Sequence, residues 1–143
     1  QNLKPIIMKK VFLICSLFLM LSCSNSDDNS NSSNSDFHPP AWIQGNWLQQ
    51  GSIGTSGVLF SFSANDFCMT NMGLTKQCQQ EFVNQVRQPG NVNAVTVTET
   101  ITSTTYTAEI KYFAGQSLIY SFKKLSNNTI EWTTVPGSIF TKQ

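Results

Sequence analysis

Few side chains in this chain have the types and spacing that catalysis requires. The one histidine, His38, lies ahead of the first predicted strand, so no Ser–His or Cys–His nucleophile pair is expected inside the barrel. The sequence has no glycine-rich loop of the kind that cradles phosphates. We therefore expect no enzyme, no catalytic residue and no cofactor. The acidic residues of the domain, none of which forms an evident close pair, are Asp66, Glu81, Glu99, Glu109 and Glu131.

Cys23 stands where an apolar run gives way to polar sequence. Lys9 and Lys10 follow Met8, and an apolar run extends from Val11 to Leu21. This order of basic, apolar and small residues is typical of a secretory signal. Eleven residues at helical rise span roughly 16 Å, about half of a bilayer core, so a transmembrane helix is not expected.

The stretch Leu19-Met20-Leu21-Ser22-Cys23 resembles the lipobox of bacterial lipoproteins. This resemblance implies that residues 8–22 are a signal peptide, cut just before Cys23, and that Cys23 carries lipid on its sulfur and its amino group. The alternative is an ordinary secretory signal with an incidental cysteine. A lipid anchor would hold the protein at a membrane. We expect the bacterial outer membrane, with the domain on its periplasmic or its surface-exposed face.

Residues 23–37 are rich in Asn and Ser and are predicted to form a flexible tether. Its acidic residues resemble the surface-export tag of some lipoproteins, or they only keep a linker solvated. Residues 1–7, which precede Met8, are left out of the fold. From Cys23 onward six basic and eight acidic side chains leave a net charge near −2. No nucleic-acid partner is expected, because no basic stripe is present.

Residues 38–143 are predicted to form one all-β domain. Short runs rich in Thr, Val, Ile, Phe and Tyr alternate with turn signals, which predicts an antiparallel up-and-down barrel of about eight strands. Apolar residues at helical spacing between Thr75 and Pro89 predict one short α-helix at about residues 75–87. The clearest hairpin has a two-residue turn at Thr102-Ser103, which would set Glu99 opposite Tyr106.

Cys68 and Cys78 are the two cysteines of this domain. If the chain is exported, it reaches an oxidising compartment, and a disulfide between them is the default expectation. The alternative adds Met69 and Met72 to form a soft sulfur set for copper(I). Strand alternation places Cys68 and Met69 on opposite faces and no histidine supports such a set, so we predict no metal.

The stretch HPPAWIQGNWL, residues 38–48, is similar to the start of lipocalin-like domains. In that family a Gly-x-Trp motif, here Gly45 to Trp47, opens the first strand, and the indole plugs the closed end of the barrel. The resemblance also implies a basic residue packed over this indole, for which Lys142 is the candidate. The chain thus resembles the small bacterial lipocalin-like lipoproteins.

Two functions follow from this resemblance. In the first, the barrel binds a small apolar ligand in an aromatic pocket. In the second, the rings fill the barrel and the protein binds an envelope or extracellular protein through rim loops, as lysozyme-inhibitor-like lipoproteins do. The loop from Gly51 to Gly57 would distinguish the two functions, since an open lid favours a ligand pocket and a loop packed shut over the aromatic rings favours protein binding. The residues predicted to line the pocket are Phe60, Phe62, Glu99, Tyr106, Tyr120, Phe122 and Trp132.

Overall fold

The computed structural model describes most of the chain from Ser35 to the last residue. Cys23 lies outside the described residues, as does the predicted signal peptide of residues 8–22. The described ranges are 35–52, 57–71, 73–87, 90–91 and 93–143.

Nine strands and one helix make up the described part of the chain. The fold is all-β and antiparallel, as predicted. The ninth strand is a two-residue strand, Gln77–Cys78, that the sequence analysis did not separate from the helix. The elements are β1 (Gly45–Gln49), β2 (Val58–Phe62), β3 (Phe67–Asn71), β4 (Gln77–Cys78), α1 (Gln79–Val86), β5 (Val95–Ile101), β6 (Thr105–Tyr112), β7 (Ser117–Lys124), β8 (Thr129–Trp132) and β9 (Ser138–Lys142).

All nine strands belong to a single sheet that curls into a half-barrel. Its order is β4-β3-β2-β1-β9-β8-β7-β6-β5, so consecutive strands pair with each other except β4 and β5, and β1 also pairs with β9. The expected up-and-down order is therefore confirmed. The ladder leaves β4 and β5 as the two edges of the sheet, and we call the gap between these edges the seam.

Apolar side chains of alternating strand positions face the concave side and form the core. Along β6, Tyr106, Ala108 and Ile110 are buried, while the two residues between them are half-buried. This alternation is the period of two that a half-buried strand requires. The aromatic residues of the core with no exposed surface are Phe37, Trp47, Phe60, Phe67, Tyr106, Phe122 and Phe140.

Gly45 and Trp47 open β1 at one end of the half-barrel. Gly45 has φ +119°, a conformation that favours glycine, and a Cβ on it would meet Lys142 Cε at 3.0 Å. Trp47 is fully buried and donates from Nε1 to Ile43 O at 2.6 Å. Lys142 Nζ lies 5.3 Å from the centroid of the Trp47 ring. This is the contact that the lipocalin resemblance implied for Lys142.

The helix α1 is shorter than expected and begins at Gln79 rather than near residue 75. Cys78 instead has an extended backbone (φ −99°, ψ 137°) and pairs directly with Cys68 of β3. The reason is that a residue bonded across a ladder cannot also take helical dihedrals. Gly73 and the segment up to Lys76 connect β3 to β4 without helical structure.

The seam is filled by α1 and by the segment Ser35–Trp42. Val83 of α1 is fully buried. Arg87, just after the helix, donates from Nε to Val95 O of β5 at 3.1 Å. Trp42 donates from Nε1 to Thr102 O, beyond the other end of β5, at 3.1 Å. The two sheet edges are thus joined through side chains and a helix instead of a strand ladder.

The folded body extends to Ser35, into the stretch that the sequence analysis assigned to the tether of residues 23–37. Phe37 has no exposed surface, and its ring packs edge to face on Phe67 with centroids 5.4 Å apart. Asp36 Oδ2 accepts hydrogen bonds from Arg87 Nη1 at 2.7 Å and from Gln80 Nε2 at 2.9 Å. Residues 35–37 therefore belong to the folded body.

The register predicted for the β5–β6 hairpin is wrong by two residues. Ile101 pairs with Tyr106, so four residues separate the paired positions instead of two. The cause is the hydroxyl of Thr102, which accepts from the backbone nitrogens of Thr104 (3.2 Å) and Thr105 (2.8 Å) and stabilises a wider turn. A shift of two residues keeps every side chain on its predicted face.

Candidate functional site

The aromatic residues predicted to line a ligand pocket lie together inside the half-barrel. Phe60 contacts the rings of Phe122, Trp132 and Phe140 at centroid distances of 5.0, 5.1 and 5.2 Å. Phe62 packs edge to face on Phe122 at 5.1 Å. These are ordinary distances for aromatic side chains in a close-packed core. The rings therefore occupy the space in which a ligand was expected.

Tyr120 and Trp132 also belong to this set. Their rings stack with centroids 6.2 Å apart and 13° between the planes. Trp132 Nε1 is the single buried side-chain nitrogen or oxygen of the described residues that has no hydrogen-bond partner. Burial raises the pKa of Tyr120, and a hydrogen bond with the side chain of Gln79 acts in the opposite direction.

Glu99, the one carboxylate predicted to face inward, binds the N-terminal segment and does not face an open pocket. Its Oε1 accepts from Tyr106 Oη at 2.7 Å and from the backbone nitrogen of His38 at 2.7 Å. Its Oε2 lies 3.0 Å from His38 Nδ1. The pKa of Tyr106 is raised, first by burial and then by the hydrogen bond to Glu99 and its negative charge. Sequence reasoning missed His38 as a partner because it is 61 residues away.

Cys68 and Cys78 are joined by a disulfide with an S–S distance of 2.10 Å and a Cα–Cα distance of 3.9 Å. The bridge fastens β4, and with it the start of α1, to β3. A carboxylate oxygen of Asp66 lies within 4.8 Å of both sulfurs. Because the sulfurs are bonded to each other, they offer no thiolate for a metal.

Asp66 is half-buried beside this bridge. It accepts hydrogen bonds from the backbone nitrogens of Phe67 at 2.7 Å and Gln80 at 2.9 Å, so it ties the start of β3 to α1. Burial raises the pKa of Asp66, and these hydrogen bonds oppose the effect.

A cleft of about 270 Å³ lies between α1, β4 and the beginning of β7. Its apolar surface comes from Phe82 (40% exposed), from Leu118 (38% exposed) on the other wall and from Tyr120. Tyr120 is thus the one member of the predicted pocket that also lines this cleft. The polar side chains of the cleft are Lys76, Gln77, Gln79, Glu81 and Gln85.

The surface around this cleft was not anticipated from the sequence. Phe82 and Gln79 belong to the predicted helix, but their position opposite Leu118 depends on how α1 lies across the seam. The alternation of apolar residues along β7 indicates that Leu118 and Tyr120 share a face. This is the one feature of the sequence that pointed to part of the cleft.

Several sequence expectations fall on residues outside the described ranges. They are the signal peptide of residues 8–22, the lipid attachment at Cys23, Met72 of the sulfur set, and residues 53–56 in the middle of the loop from Gly51 to Gly57. Within the described part of the chain, no helix has the length and hydropathy needed to cross a bilayer. No family model, curated protein or solved structure matches this chain.

Proposed function

We propose that this protein is a bacterial lipoprotein, anchored in the outer membrane through Cys23, whose lipocalin-like domain recognises a partner at its surface and catalyses no reaction. The lipobox-like stretch ending at Cys23 supports the anchor. The Gly45–Trp47 opening of β1, with Lys142 over the indole, supports the lipocalin likeness. The domain would lie on the periplasmic or the surface-exposed face.

The packing of the barrel interior is the observation that carries this proposal. Phe60 and Phe122 have no exposed surface, and Phe60 touches four other rings of the core. A small apolar ligand could enter only by displacing these rings from their contacts, at a cost of several kcal/mol for each large side chain. Surface recognition requires no such rearrangement, so it is preferred over a small apolar ligand held inside.

Metabolic labelling tests the anchor. Cells expressing the full chain are grown with radiolabelled palmitate, and incorporation is compared for the wild type, Cys23→Ser and Cys15→Ser. Cys15 is the matched control because it lies inside the apolar run. We expect label in the wild type and in Cys15→Ser but none in Cys23→Ser. Label retained in Cys23→Ser, or absent from all three proteins, would contradict the anchor.

Native mass spectrometry of the full chain, released from detergent micelles, tests the filled interior. We expect the wild type to carry no mass that is lost on denaturation, apart from detergent. Benzene added to Phe60→Ala should then bind where it does not bind to the wild type, because removal of the ring leaves an apolar void. A compound carried by the wild type, or equal binding of benzene to both proteins, would show that the interior has room for a ligand.

A further inference from the structure

The cleft between α1, β4 and β7 combines amide side chains with half-exposed apolar surface. Gln77, Gln79 and Gln85 lie along it, with Phe82 on one wall and Leu118 on the other. Each glutamine amide offers two N–H donors and one carbonyl acceptor. A ligand that matches this surface must therefore present hydroxyls or amides along its edges and carbon–hydrogen surface on its faces.

The charges around the cleft favour a ligand without net charge. Lys76 and Glu81 are its one cation and its one anion, and both are exposed. Their opposite charges leave no excess of either sign to attract an anion or a cation. A purely apolar ligand fits poorly as well, because it would cover the exposed amide of Gln77 without giving it a hydrogen-bond partner.

The neighbouring strand argues against an extended peptide. A peptide that adds a strand to a sheet edge gains its affinity from a row of backbone hydrogen bonds. β4 forms the edge at the cleft and contains only Gln77 and Cys78, so it supplies too short a row. The volume of about 270 Å³ also suits a compact ligand unit more than an extended chain.

We propose that this cleft binds a neutral saccharide. The ring of Phe82 would stack on the carbon–hydrogen face of one sugar unit, and Gln77 and Gln85 would bind its hydroxyls. Gln79, only 4% exposed, would remain on the floor against Tyr120. This inference rests on the proposed function, since it names the class of partner that the surface of the domain recognises.

The test uses the full chain in detergent micelles with a panel of three neutral trisaccharides: maltotriose, cellotriose and N-acetylchitotriose. Saturation-transfer NMR detects binding, and titration calorimetry gives the Kd. We expect at least one trisaccharide to bind with a Kd of about 1 mM or lower. Phe82→Ala should weaken that binding about tenfold, through loss of the stacking ring. Gln77→Leu should weaken it about fivefold, through loss of the amide hydrogen bonds.

Two matched variants control for general effects. Phe113→Ala removes a phenylalanine that is 89% exposed, and Gln116→Leu removes an exposed glutamine, both outside the cleft. Each should leave the Kd within about twofold, as surface changes away from a site do. Phe82 and Gln77 are themselves exposed enough for their variants to fold, which near-ultraviolet circular dichroism verifies.

Four outcomes would overturn the inference. They are no binding by any trisaccharide, binding that neither cleft variant weakens, binding of laurate at the cleft, and binding of tetra-alanine in place of the sugars. None of these four outcomes affects the result expected from the palmitate labelling of Cys23 or from the native mass spectrum. Failure here therefore stands apart from failure of the proposed function, which those two experiments test without any sugar.

Discussion

Phe37 provides the sharpest test of how the seam is closed. Its side chain is fully buried against Phe67, although its position in the sequence suggests a solvated tether. A buried aromatic side chain removes roughly 150–250 Å² from water, worth about 4–6 kcal/mol at 25 cal/mol per Å². Measured truncations of buried phenylalanine cost about 3–5 kcal/mol. We expect Phe37→Ala to destabilise the fold within that narrower range.

This loss is large compared with the stability of a small domain, about 5–15 kcal/mol. Urea unfolding followed by tryptophan fluorescence measures it. With a slope of about 2 kcal/mol per M, the midpoint should fall by about 2 M. The matched control is Phe113→Ala, because Phe113 is 89% exposed and its truncation should cost no more than about 0.5 kcal/mol. Equal midpoints for the two variants would refute the packing of Ser35–Phe37 into the seam.

Three further predictions concern the disulfide and two titrating groups. Replacing Cys68 and Cys78 by serine should lower the free energy of unfolding by about 2.5–3 kcal/mol, because the unfolded chain regains the entropy of a loop that spans 10 residues. A calorimetric melting temperature equal to that of the oxidised wild type would contradict this. The folded-state pKa of Tyr106 is raised above 10.0, so the folded protein keeps a proton that the unfolded chain loses, and stability should fall as pH rises above about 10. Tyr106→Phe should flatten that alkaline decline in the urea midpoint while losing about 1–3 kcal/mol at neutral pH, where Glu99 loses its hydrogen-bond donor. The pKa of Asp66 is raised above 3.8, so its contribution to stability is fullest in acid and is lost as pH rises through the raised pKa. Asp66→Asn should remove this decline in the urea midpoint. A profile of midpoint against pH identical to that of the wild type would disprove the prediction.

The strand pattern could be read from the sequence because it is local. Alternation of apolar residues assigns the faces of β5, β6 and β7, and the structure agrees at each buried position from Tyr106 to Phe122. The hairpin register could not be read in the same way. It depends on the Thr102 hydroxyl, and a two-residue shift leaves the hydrophobic pattern unchanged, so the pattern alone cannot distinguish the two pairings.

The seam and the cleft could not be predicted because they depend on distant contacts. Asp36 meets Arg87 across 51 residues, and His38 meets Glu99 across 61. Neither pair has a sequence signature, since a single carboxylate or histidine in polar sequence usually faces solvent. The two-residue strand β4 was missed for a related reason. Its extended backbone follows from its pairing with β3, whereas the local spacing of apolar residues favours a helix.

The position of β9 in the sheet has a consequence for how the chain is made. The last strand lies between β1 and β8, so it joins the β1–β4 meander to the β5–β8 meander. Pairing of Trp47 with Lys142 brings together opposite ends of the domain, and such a high contact order makes folding slow. The sheet also cannot be completed until Lys142, which pairs with Trp47, has left the ribosome. The two meanders therefore stay unjoined until β9 has been synthesised, however early the strands within each of them pair.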